Sequence, residues 1–231
     1  VAAAAASPAP ADQANSRLSN GGAACRLPYP RENLMSTHRV PLLTLSLLAV
    51  LAGLHWLVPD KTLLYFSAAD IARGEAWRIV SGQLVHAGLE HLLWNGLGLA
   101  VLGTIIEYRS RASLLAALGA GMVFVSALLL SPWSPLVYYC GLSGVLNTLL
   151  LVALWQEWRI SRSWLLIGIA LACAAKLMVE LSQGVSILTN VSWPPYAWSH
   201  LAGLTAGLFV VWANLQYTAG HSKLQCRGDR H

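Results

Sequence analysis

Six apolar runs, each close to twenty residues long, dominate the chain at about 41–58, 88–106, 112–130, 139–156, 163–181 and 196–216. A helix needs about 20 apolar residues to cross a hydrocarbon core of ~30 Å. A single strand cannot satisfy its backbone polar groups there, so helices are the default. The runs predict an all-α, polytopic membrane protein with a bundle of six transmembrane helices. Composition agrees: of 231 residues, 56% are hydrophobic and only 11% charged, against roughly 25% charged in soluble domains. That excludes both a soluble single domain and a disordered chain. Ten Trp and 19 Gly suit interfacial anchoring and close helix contact. The net charge of +5 comes from scattered basic residues that form no stripe, so no nucleic-acid partner is expected. The four cysteines, Cys25, Cys140, Cys173 and Cys226, have no CxxC or zinc spacing, and neither a disulfide framework nor a metal or other cofactor is expected.

Residues 1–34 form an Ala/Pro run followed by a polar stretch without an apolar h-region, so they do not read as a signal peptide. They are expected to be a disordered tail or to lie ahead of a true start at Met35. Residues 35–218 are expected to form the membrane domain, and 219–231 a short cytoplasmic tail. The gaps 107–111 and 157–162 predict tight helical hairpins, whereas 59–87 is a long loop with charges and aromatics. No internal repeat is visible, which argues against an inverted-repeat transporter. With the N-terminus inside, eleven Lys and Arg face the cytoplasm and three (Lys61, Arg73, Arg78) the far side, which places both termini inside.

Polar groups within membrane spans are costly and need a reason. The fourth run opens Cys140-Gly141-Leu142-Ser143-Gly144. A serine after a Gly-rich turn can present its hydroxyl together with a backbone N–H able to bind an oxyanion; the alternative is a small-residue contact with Ser143 bonded to its own backbone. In the sixth run, Gly203 and Gly207 lie three and seven residues after His200, on its helix face. That face carries one base and no bulk, so a second helix can approach; if that helix is the fourth, His200 can reach Ser143. The alternative is a histidine bonded to a backbone carbonyl. His91 and Asn95 are four apart and share a face, both able to donate, while His86 falls on the entry turn. Glu90-His91 lacks the spacing of a metal motif. Ser143, His200, His91 and Asn95 fall at similar depth near the outer helix ends. A nucleophile, a base and two oxyanion donors are what acyl transfer requires. With no acidic partner apparent, the sequence predicts a Ser–His dyad. Lys176 and Glu180 are four apart and read as a local pair or as snorkelling side chains. Cys140 is a poorer nucleophile candidate than Ser143, which fits the glycine frame. Ser192-Trp193-Pro194-Pro195-Tyr196 reads as an interfacial anchor or a lid.

Taken in order, these motifs resemble those of the rhomboid intramembrane serine proteases: a Trp-Arg pair in the first loop (Trp77-Arg78), HxxxxHxxxN (His86, His91, Asn95), GxSG on the fourth span (Gly141 to Gly144) and HxxGxxxG on the sixth (His200, Gly203, Gly207). The resemblance covers about 41–216. It implies Ser143 as nucleophile, His200 as base, and an oxyanion hole from His91, Asn95 and the Ser143 N–H. His86, Gly141, Gly144, Gly203 and Gly207 would support the site. Glu107 is similar to a structural acid of the family that ties loops together. One departure is Asn147, where many rhomboids place an aromatic against the catalytic histidine; Asn147 either bonds and orients His200 or caps a local water. The compact six-span core resembles the bacterial rhombosortase branch, whose members are thought to cleave C-terminal sorting tails bearing a Gly-Gly motif. That implies an enzyme of the bacterial inner membrane, its site open to the periplasm. Its partners would be membrane lipids and transmembrane substrates with a Gly-rich, helix-destabilising cleavage region. The competing expectations are a catalytically inactive rhomboid-like binder of membrane helices and a small transporter.

Overall fold

The structure is a computed structural model and describes residues 40–184 and 196–228, with side chains through 219. The elements run α1 (Leu42–Leu57), a 3-10 turn (Lys61–Leu64), α2 (Ala68–Ala72), α3 (Arg78–Leu84), α4 (Leu89–Arg109), α5 (Arg111–Leu129), α6 (Ser143–Ser161), α7 (Trp164–Gln183) and α8 (Ala197–Gly228). Each of the six apolar runs becomes one long helix, and the fold is all-helical among the described residues. By length and composition, α4, α5 and α7 can each cross a membrane, while α1 is apolar but shorter, at 16 residues. In α6 the C-terminal end carries Gln156, Glu157 and Arg159, which lowers its apolarity without breaking the helix.

Local chemistry sets the helix ends. Ser110 closes α4 and caps α5, its Oγ accepting from the Ser113 N–H at 3.1 Å. Arg162 ends α6 in the left-handed region at φ 50°, and Ser163 caps α7 directly after it. Both predicted hairpins are therefore made by capping chemistry. At the start of α1, Pro41 offers no side-chain cap. Glu107 supplies one from α4, accepting from the Leu43 and Thr44 N–H groups at 3.0 and 2.8 Å and from Thr44 Oγ1 at 2.9 Å. The tie predicted for Glu107 thus joins the C-terminal end of α4 to the first turn of α1, where a carboxylate also complements the helix dipole.

α6 is central, packed against α8, α5 and α4, with α1 on the far side of α4; α7 packs mainly against α6 and α8. The core of Leu99, Ile106, Leu114, Leu149 and Val152 fills the space between α4, α5 and α6. Between helices surrounded by lipid there is little hydrophobic drive, so close contact of small residues matters more. A Cβ on Gly203 would lie 1.8 Å from the Gly144 carbonyl oxygen, and one on Gly207 would lie 2.9 Å from Leu151 Cβ. Thr148 Oγ1 donates to the Gly203 carbonyl at 2.8 Å. The glycine face of the sixth run therefore does meet the fourth.

Two boundaries differ from expectation. α6 begins at Ser143, not at 139, because residues 139–141 are held in extended pairing. Phe66 and Tyr139 exchange backbone hydrogen bonds of 2.9 and 3.1 Å, and the Gly141 N–H donates to the Gly82 carbonyl at 3.0 Å. α8 continues to Gly228, past the apolar run and through Gly220, so residues 219–228 are helical. The expectations for 1–34 and for the aromatic stretch 192–195 lie outside the described residues.

The long loop 59–87 is folded around Arg78, which is buried although charged. Its Nη1 donates to the Thr62 and Tyr65 carbonyls at 2.8 and 2.9 Å, and its Nε to Glu75 at 2.6 Å. Trp77 beside it is 55% exposed, as suits an interfacial anchor.

Candidate active site

The start of α6 presents Ser143. Gly141 sits at φ +117°, a conformation that favours glycine, and the turn through Leu142 aims the next residue into the bundle. The N-cap residue Leu142 makes no side-chain cap bond, and the backbone N–H of a first helical residue can meet a ligand oxygen. The Gly203–Gly144 approach brings α8 in close enough for His200 Nε2 to lie 3.0 Å from Ser143 Oγ. His200 is 9% exposed, sheltered yet reachable. A base within hydrogen-bond reach of a hydroxyl at a helix N-terminus is the elementary unit of nucleophilic catalysis by serine.

α4 contributes the facing wall. A Cβ on Gly141 would fall 2.6 Å from His91 Nε2 and 3.7 Å from Asn95 Nδ2, so both side chains converge on the backbone two residues ahead of the serine. Asn95 is buried, and its Nδ2 has no hydrogen-bond partner among the described residues. A buried donor without a partner is unusual, and here it leaves one beside the turn that leads into Ser143. His86, in the turn before α4, stands edge-to-face with His91 at 4.9 Å between ring centroids. Burial, with His91 adding to it, lowers the His86 pKa to about 3, so the ring is neutral. It braces His91 from behind.

Two expectations need correction. The predicted dyad has an acidic neighbour after all: Glu180 Oε2 lies 3.2 Å from His200 Nδ1. Glu180 does pair with Lys176, through its other oxygen, but it is buried, not snorkelling. The signal was present as a carboxylate in an apolar run; an i,i+4 lysine offered a sufficient local explanation. Asn147, in turn, does not reach His200. Its Nδ2 donates to the Ser143 carbonyl at 2.8 Å, one turn back on its own helix. Cys140 is buried and free. Sequence reasoning also passed over Gly82 and Tyr139, whose backbones hold the Gly141 turn.

An all-helical bundle carrying a serine at one helix start, a histidine on a glycine-faced neighbour and amide and imidazole donors opposite defines a class of helical membrane proteins with a hydrolase-like site. A rhomboid-domain family model matches residues 73–217, more than half of the chain, and the chain belongs to the rhomboid family. It is 30% identical over 155 residues to the "Rhomboid protease GluP" of Bacillus subtilis (strain 168), an alignment covering 64% of this chain and 29% of that protein. The chain thus spans under a third of the length of that relative.

Proposed function

We propose that this rhomboid is an intramembrane serine endopeptidase in which Ser143 is the nucleophile and His200 the base. The observation that carries the reading is the 3.0 Å contact between Ser143 Oγ and His200 Nε2 at the start of α6. His200 takes the serine proton as Oγ bonds to the scissile carbonyl carbon, and the carbonyl electron pair moves onto oxygen. The Ser143 N–H, Asn95 Nδ2 and His91 receive that oxyanion. His200 then gives its proton to the leaving amine as the C–N bond breaks, and water or another amine resolves the acyl-enzyme. The kinship with a rhomboid protease supports this activity.

The further assignments belong to the same proposal. Six helices span the bilayer with both termini cytoplasmic, and the site opens to the periplasmic side of a bacterial inner membrane. The substrates are transmembrane or C-terminal sorting segments of exported proteins, with a Gly-rich cleavage region of the Gly-Gly type handled by rhombosortases. A substrate helix must unwind before its backbone can be attacked, and each glycine lowers helix stability by about 1 kcal/mol relative to alanine.

Labelling with a fluorophosphonate probe tests the activity. Wild type in membranes is expected to label, and Ser143→Ala and His200→Ala are expected not to. Folded wild type that labels no more than Ser143→Ala, and that leaves Gly-Gly-tailed substrates uncut, would refute the reading.

A further inference from the structure

Glu180 has a geometry that an i,i+4 partner for Lys176 does not require. A lysine and a glutamate one turn apart on an exposed helix face stay in reach of solvent and contribute only a few tenths of a kcal/mol. Glu180 instead turns inward, with its side chain 2% exposed, and of the α7 residues only Leu177 shares that buried status. An isolated carboxylate there would be very costly. Lys176 on Oε1 compensates its charge and leaves Oε2 directed at His200 Nδ1. Three consecutive contacts thus run from α7 through α8 to α6: Lys176 to Glu180, Glu180 to His200, His200 to Ser143.

We infer that Glu180 is a positioning residue for His200, so that the site works as a Ser–His–Glu triad with Lys176 behind it. The inference rests on the reading of Ser143 and His200 as nucleophile and base. A neutral imidazole carries its proton on either nitrogen, and only the Nδ1–H tautomer leaves an Nε2 lone pair for the serine. A carboxylate at Nδ1 selects that tautomer and fixes the ring plane. When Ser143 Oγ–H transfers its proton to Nε2, the ring becomes an imidazolium whose Nδ1–H still donates to Oε2. Glu180 stabilises this cation without taking the proton. The proton on Nε2 then leaves with the amine, and the carboxylate ends as it began. Among the described residues, the other charged or titratable groups near His200 are His91 on α4, Lys176 behind Glu180, and Tyr139, whose hydroxyl meets Ser199 Oγ at 3.4 Å.

The test measures the rate of fluorophosphonate labelling of Ser143 against pH, in purified protein, for wild type, Glu180→Gln and Glu180→Asp. Removing an anion beside His200 makes the imidazolium less favourable. Glu180→Gln is therefore expected to label about 10²–10⁴-fold more slowly and to move the midpoint of the acid limb to lower pH, while Glu180→Asp recovers part of the rate. A purely structural lesion would lower the amount of folded protein and leave the midpoint in place. Folded Glu180→Gln with the rate and midpoint of wild type would overturn the inference. A second measurement does not depend on activity or on the Glu180→Gln variant folding. Wild type is expected to show a hydrogen-bonded imidazole proton downfield of the amide envelope that disappears in His200→Ala. Its absence would overturn the inference; its presence in protein that fails to label would refute the protease reading instead.

Discussion

Gly141 leaves Ser143, the proposed nucleophile, little latitude. A side chain there meets two obstacles at once: a φ of +117° that L-residues rarely adopt, and a His91 ring 2.5 Å from where the Cβ would be. Gly141→Ala must therefore either push His91 aside or flip the turn that aims Ser143. We expect the variant to label with a fluorophosphonate at least tenfold more slowly than wild type, with a cost in stability of about 1–3 kcal/mol. Unchanged labelling would show that the turn tolerates a Cβ and that His91 is not pressed against it. At this scale the site was largely legible. Serine and histidine among small residues, and a His-Asn pair at helical spacing, are rare enough in apolar runs to stand out. Glu180 was not legible as a partner of His200, because its local explanation was complete; only the packing of α7 beside α8 separates the two readings.

Among elements, the crossing of α6 and α8 does the most to build the site. It is made where Gly203 and Gly207 let one backbone lie against the other. Gly203→Leu would push α8 off Gly144 and carry His200 with it. We expect a stability loss of roughly 2 kcal/mol or more, read as a lower Tm in detergent, together with lost labelling. Gly168, on α7, has open space where a Cβ would go; Gly168→Ala is expected to leave Tm unchanged or slightly raised, since alanine favours helix by about 1 kcal/mol. The six helices themselves were legible from the length of the apolar runs. The start of α6 was not, because backbone pairing between residues 66 and 139 is a long-range event with no local sequence signal. Nor did the apolar pattern announce where α8 ends, because a helix follows backbone propensity once its apolar stretch is over.

Across the whole molecule, protonation provides a global readout. His86 is buried and neutral, its pKa lowered to about 3 from the ordinary 6.5 by burial first and by His91 second. Between those two values the unfolded chain binds a proton that the folded protein refuses. Stability is therefore full above pH 6.5 and declines as pH falls toward 3. His86→Phe is expected to flatten the pH dependence of Tm over that window; a variant as acid-sensitive as wild type would place the sensitive group elsewhere. The global arrangement was legible as far as the bundle and the neighbouring fourth and sixth helices. The interior of 59–87 was not, since Arg78 reads as an exposed loop charge until its carbonyl partners are placed around it.

The pairing of residue 66 with 139 and of Gly82 with Gly141 has a practical consequence. The turn that aims the serine is aligned by an outlying segment and not only by the bundle that carries it. The first loop thus serves as a jig: damage to it would leave the helical bundle assembled, but with the Ser143 hydroxyl out of register. Lesions in that loop would therefore pass a screen for expression and membrane insertion and, on the proposed activity, fail one for cleavage.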